Sequence, residues 1–118
     1  MLKMSALDQK FLDKVISIIE HNMKKGIDVD INTIAREVGL SKSSFYRKIK
    51  LITDLSPVEF VKNIRLKHAY ELLEGGETSL DAIAYSTGFS GAKYLSTCFK
   101  EQFGITPTEF LRKRGLVD

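Results

Sequence analysis

Lys42, Ser43, Tyr46, Arg47 and Lys50 fall at i, i+1, i+4, i+5 and i+8. In a helix that spacing gathers all five on one side, opposite Phe45 and Ile49. The chemistry on offer is recognition of a polyanion that also has readable edges. Arg47 can donate two parallel hydrogen bonds to a guanine, and Tyr46 can pack on a thymine methyl or bond a base or phosphate. Lys42 and Lys50 suit phosphates, which position a helix without reading sequence. A smaller set follows fifty residues later: Ala92, Lys93, Ser96, Thr97 and Lys100. Alanine and threonine can touch a thymine methyl, and Lys93 can reach a guanine or a phosphate. Ser41 and Ser90 stand at the starts of these two helices, where free backbone amides can accept a phosphate. No nucleophile, base and orienting group assemble in the sequence, so no catalytic residue is expected. His21 and His68 lack a cysteine cluster around them, so neither a metal nor any other cofactor is expected.

Two near-copies of one scaffold must carry these faces. Ile34-Ala35-Arg36-Glu37-Val38-Gly39-Leu40-Ser41 returns as Ile83-Ala84-Tyr85-Ser86-Thr87-Gly88-Phe89-Ser90, 49 residues later. Ser56-Pro57-Val58-Glu59-Phe60 returns as Thr106-Pro107-Thr108-Glu109-Phe110, at an offset of 50. Each copy reads as helix, glycine turn, helix, then a third helix opened by a capping box with proline at its first position.

The apolar spacing of Phe11, Leu12, Val15, Ile16, Ile19 and Met23 predicts a first helix over 6–25, stopped by Gly26. Asp30 caps a short helix over 31–38, and Gly39 supplies the left-handed turn. Ser41 caps a helix to about Thr53, with Phe45, Ile49 and Ile52 inward. A helix from Pro57 to about Glu74 carries Phe60, Val61, Ile64, Leu66, Ala69, Tyr70, Leu72 and Leu73, a stripe wider than one-sided packing needs. Thr78 or Ser79 caps a helix over 80–87. Residues 91–103 form the next, with Leu95, Cys98, Phe99 and Phe103 inward, and a last short helix runs from Pro107 to about Lys113. Tyr70, Phe89 and Phe103 are expected as core anchors. No segment alternates with period two, so the fold class is all-α: seven helices in two helix-turn-helix lobes, 6–54 and 78–114, joined by a linker helix at 56–75.

Charge is concentrated where recognition is expected. The chain of 118 residues carries a net +3, but residues 41–70 hold seven basic side chains, Arg65 among them, against two acidic ones. Residues 1–40 balance at zero, and 71–118 hold five basic against seven acidic. Arg65, on the helix after the basic face, is a further phosphate candidate, whereas His68 reads as surface. The pattern suits double-stranded DNA as partner. A single such face is equally well an ordinary solvated helix surface; two copies separated by a helix of about one DNA turn in length favour DNA. A solenoid needs about three or more units, and two are present. A helical protein-interaction module, docking polymerase or a kinase, would show an exposed apolar stripe, whereas the outward faces here are polar and basic. The single Cys98 excludes an internal disulfide and suits a reducing compartment. No apolar run is long enough to span a membrane and no signal peptide is recognisable, so a cytoplasmic location is expected.

The sequence resembles the DNA-binding domain of AraC/XylS-family transcription regulators over residues 8–114. The residues that carry the likeness are Ile34-Ala35, Gly39-Leu40-Ser41, Phe45-Tyr46-Arg47-Lys48-Ile49-Lys50, Ser56-Pro57, Phe60, Ile64-Arg65-Leu66, Ala69 and Leu72-Leu73. It continues through Ile83-Ala84, Gly88-Phe89-Ser90, Tyr94-Leu95-Ser96, Phe99-Lys100, Phe103-Gly104-Ile105-Thr106-Pro107 and Phe110. The resemblance implies two recognition helices in successive major grooves. It also implies that Ser43, Tyr46 and Arg47 read bases in the first lobe, and Lys93, Ser96 and Thr97 in the second. Many members carry arginine where Thr97 stands, so the second lobe is expected to read less sequence. Leu7-Asp8-Gln9-Lys10-Phe11-Leu12 with Tyr46-Arg47-Lys48-Ile49-Lys50 is similar to the output domain of Bacteroides-type hybrid two-component regulators. In those, one chain joins sensor, histidine kinase, receiver and this domain; a small stand-alone regulator is the alternative. The resemblance implies no small-molecule site in this part. It allows RNA polymerase as a second partner, and a homodimer, or an anchor in the inner membrane, through the longer parent protein.

Overall fold

The computed structural model describes residues 4–26 and 30–118. Among them are seven helices: α1 (Ala6–Lys24), α2 (Ile31–Glu37), α3 (Lys42–Thr53), α4 (Pro57–Glu74), α5 (Leu80–Thr87), α6 (Ala92–Phe103) and α7 (Pro107–Lys113). The described residues contain no strand, and none of their helices is long and apolar enough to cross a membrane. The chain forms two compact units that meet in sequence between Ile64 and Arg65.

The first unit closes over Leu12, Val15 and Ile19 of α1, Ile34 and Ala35 of α2, Phe45 and Ile49 of α3, and Phe60 and Val61 at the start of α4. These positions recur at three or four residues on α1 and at four on α3, so each helix turns one stripe inward. Phe11 is only half-buried but completes the packing. Its ring lies 6.1 Å from that of Phe45, and the Lys48 ammonium sits 4.5 Å over it. The second unit closes over Leu66, Ala69 and Leu73 of α4, Ile83 and Ala84 of α5, Phe89, then Leu95, Cys98 and Phe99 of α6, and Phe110 and Leu111 of α7. Tyr70 is its aromatic hub, with ring centroids 5.1 Å from Phe103 and 5.3 Å from Phe110. The wide apolar stripe of α4 thus has a local explanation in each unit: its first turns fill one core and its later turns the other.

The duplicated turns are built alike. Gly39 (φ +75°) and Gly88 (φ +82°) are left-handed, a conformation that costs a side-chain-bearing residue about 1–2 kcal/mol. Past each glycine, an amide returns to the preceding helix: Leu40 N–H donates to the Ala35 carbonyl and Phe89 N–H to that of Ala84, both at 2.9 Å. These are the six-to-one bonds that close a helix C-terminus. The two proline-started helices open with reciprocal caps. Glu59 N–H donates to Ser56 Oγ and Ser56 N–H to Glu59 Oε1, both at 3.2 Å. Thr106 and Glu109 repeat the pair at 3.1 and 3.2 Å. The bond from the Ser56 backbone amide, and then the serine hydroxyl, holds the Glu59 carboxyl below its usual range; Thr106 does the same for Glu109.

Several local expectations are corrected. Gly91 lies outside α6, as its N-cap, in extended backbone and without a side-chain cap, and α2 ends at Glu37. Phe103 is 38% exposed and Leu72 37% exposed, so neither is a core residue. The Phe103 ring still packs 4.6 Å from that of Phe99, a side contact at the rim of the aromatic cluster. Leu72 lies outside the set that α4 gives the second core, which is Leu66, Ala69 and Leu73 with Tyr70 packed against them. Cys98 is buried as expected.

Candidate nucleic-acid interface

α3 is the second helix of the first helix-turn-helix. Phe45 and Ile49 lock it to the core with no more than 1% exposure, which leaves Lys42, Ser43, Tyr46, Arg47 and Lys50 on the exposed side. Lys42, Ser43, Tyr46 and Arg47 line one open depression of about 450 Å³. Among the described residues the Arg47 guanidinium and the Lys42 ammonium make no intramolecular hydrogen bond or ion pair. Their donors are therefore available to a ligand without first breaking a contact. On the flank of α3, Lys42 and Tyr46 also face a cleft of about 380 Å³ shared with Asp30, Asn32, Ser56 and Val58. Sequence reasoning passed over Asn32. Its only signal was its place in the first turn of the helix ahead of the basic face.

One of the expected phosphate ligands on this side has other work. Lys50 Nζ donates to the Asp54 carbonyl at 3.1 Å, where a cation also complements the negative end of α3. Ser41 Oγ accepts from Ser44 N–H at 3.2 Å and donates to Ser44 Oγ at 3.0 Å, so its hydroxyl serves as the N-cap. What Ser41 leaves for an anion is the free amides of the first turn.

α6 holds the matching place in the second unit. Leu95, Cys98 and Phe99 are buried, while Lys93, Thr97 and Lys100 are exposed and Ala92 and Ser96 half-buried. Ser96, Thr97, Lys100, Glu101 and Thr106 line an open depression of about 420 Å³. Lys93 and Lys100 make no intramolecular hydrogen bond or ion pair among the described residues. The Thr97 hydroxyl donates back to the Lys93 carbonyl at 3.1 Å, which ties up its proton and leaves its methyl group as the outward feature. Ser90 is exposed but lies one residue beyond the N-cap, so its hydroxyl does not start the helix. Arg65 is the largest departure. Its Nε is buried, and its guanidinium lies so close to the Gly88 turn that a Cβ on that glycine would meet Nε at 3.1 Å. Arg65, expected on a phosphate, is half-buried and rests its guanidinium against the second turn.

The fold has known counterparts. A helix-turn-helix domain family model matches residues 34–113. The chain belongs to the AraC/XylS-type helix-turn-helix DNA-binding family. It is 36% identical over 109 residues to "Histidine kinase P4" of Formosa agariphila, a match that takes in 92% of this chain. The chain spans 8% of that relative's length, and about a third of the transcriptional regulators it also matches. Its fold superposes on an AraC-type transcriptional regulator from Chromobacterium violaceum with a TM-score of 0.81, 28% identity and coverage of 93% and 96% of the two chains. It superposes on the DNA-binding domain of AdpA, solved with a target DNA, with a TM-score of 0.75, 26% identity and coverage of 88% and 94%.

Proposed function

We propose that this domain regulates transcription by binding double-stranded DNA sequence-specifically, with α3 and α6 each entering a major groove. The observation that carries the reading is the same in both units: the second helix of a helix-turn-helix is locked by a buried apolar face and turns unengaged donors outward. In this reading Ser43, Tyr46 and Arg47 read bases from α3, and Ala92, Lys93, Ser96 and Thr97 from α6. Lys42, Lys100 and the first-turn amides after Ser41 and Gly91 hold phosphates. The operator then consists of two half-elements about one helical turn apart, as the roughly 27 Å length of α4 suggests. AdpA, solved with its target DNA, supports this by its likeness in fold and sequence.

The domain is proposed as the output part of a longer two-component protein, with the likeness to a histidine kinase in support. Any phosphorylation switch, dimer contact, membrane anchor or polymerase contact then belongs to the parent protein as a whole, working from the cytoplasm. The test is binding of the 118-residue chain to a random duplex across a salt series, followed by selection from a random library. The expected result is binding whose log affinity falls linearly with log salt, and a selected site with two half-elements. Absence of binding at low salt, or binding indifferent to salt, refutes the DNA reading.

A further inference from the structure

The recognition side of α6 includes one acidic group that the phosphate-and-base scheme leaves unused. Glu101 follows Lys93 and Thr97 at i+8 and i+4, which keeps the three on neighbouring parts of one helical face. Its side chain lines the same depression as Ser96, Thr97, Lys100 and Thr106. It is exposed and makes no hydrogen bond or ion pair among the described residues. Glu101 is therefore no support for α6: nothing in its own unit holds it. The corresponding position in the first unit, fifty residues earlier, is Leu51, which is 78% exposed and uncharged. The two units thus differ in the chemistry they bring to this edge of the recognition helix.

A carboxylate only accepts hydrogen bonds. Beside DNA it is repelled by phosphates, and in the major groove by the N7 and O6 acceptors of guanine. Two bases offer it a donor there, the N4 amino group of cytosine and the N6 amino group of adenine. Adenine sets its N7 acceptor next to N6, against the second carboxylate oxygen, whereas cytosine has only a C–H beside N4. On the reading that α6 enters a major groove, we propose that Glu101 is a specificity-determining residue of the second half-element, accepting a hydrogen bond from cytosine N4. The second unit then lacks the arginine-type reader of guanine but gains an acidic reader of cytosine. Its specificity works partly by exclusion, since guanine and thymine leave the carboxylate desolvated against acceptors or a methyl group, and adenine satisfies one carboxylate oxygen while setting N7 against the other.

The experiment compares the 118-residue chain with Glu101→Gln and Glu101→Ala on the library-selected duplex and on variants carrying each base at every position of the second half-element. Both substitutions are at an exposed, uncontacted side chain, so circular dichroism melts should match the parent. The expected result for the parent is a cytosine preference of about five-fold or more at one position. That preference falls below two-fold in both variants, while their affinity for random duplex is unchanged or higher because a negative charge is gone. Equal tightening on every sequence would show a carboxylate that merely repels phosphate and would overturn the proposal. So would an undiminished base preference in Glu101→Ala. Failure of the parent chain to bind any duplex would instead refute the underlying DNA reading, an outcome distinct from both.

Discussion

Replacing Arg47 by alanine separates base reading from simple attraction to DNA. The side chain is exposed on α3, and among the described residues it makes no intramolecular hydrogen bond or ion pair. Its loss should leave stability within about 0.5 kcal/mol of the parent, the usual range for such surface sites. A guanidinium placed bidentately on a guanine discriminates by about 1–3 kcal/mol, which corresponds to roughly 5- to 150-fold in affinity. Arg47→Ala should therefore weaken binding to the selected site by that factor. Random duplex should lose much less, so the ratio of specific to random affinity collapses at one base pair. The assay is fluorescence anisotropy on the selected duplex, its single-base variants and random duplex, at two salt concentrations. Lys42→Ala is the internal control: a lost phosphate contact weakens all sequences alike and reduces the salt slope by about one. If Arg47→Ala behaves like that control, with equal loss on specific and random DNA, Arg47 is only a phosphate ligand and the base-reading argument fails.

Lys93→Ala should cost less affinity for the selected site than Arg47→Ala, because a point charge on α6 replaces a bidentate fork; the reverse order in parallel titrations would refute the asymmetry between the units. Gly39→Ala and Gly88→Ala both force alanine into a left-handed turn, at about 1–2 kcal/mol. Only at Gly88 does the new Cβ also meet the Arg65 guanidinium, at 3.1 Å, so Gly88→Ala should have the lower melting temperature, and equal melting temperatures would show that Arg65 yields freely. Glu59 and Glu109 have depressed carboxyl pKa values in the folded state. Their caps therefore contribute stability above the ordinary value of 4.5 and lose it as pH falls through the lower folded value. The melting-temperature gap between the parent and a Glu59→Ala, Glu109→Ala double variant should be present at pH 7 and close in acid; a gap that widens as pH falls contradicts the capping account.

Much of the fold was legible because its punctuation is local. Asp30, Ser41, Ser56, Ser79 and Thr106 cap the helices they precede. The inward positions of α3 followed from spacing alone, since one helix period decides which residues share a side. The candidate interface was legible to the same depth: a helix with one apolar side must turn the other outward. The failures were at edges. Phe103 and Leu72 satisfy the helical period but lie where the core ends, and period alone does not say how far a core extends. Gly91 was placed inside α6, but an extended glycine serves there as the N-cap, one residue later than the repeat to Ser41 suggests.

By itself, the sequence determined the all-helical class, the duplicated turns with their left-handed glycines, the capping boxes, and the assignment of α3 and α6 as the helices that face a ligand. Each of these depends on residues within about a turn of one another. Only the tertiary structure decided which polar groups on those helices are at liberty. It drew Arg65 against the Gly88 turn and, among the described residues, left Arg47, Lys93 and Glu101 without a hydrogen bond or ion pair, whereas the bonds of Lys50 to Asp54 and of Thr97 to Lys93 are local, each spanning four residues. Availability depends on neighbours brought in by packing, and a long flexible side chain satisfies its donors with whichever of them lies within reach.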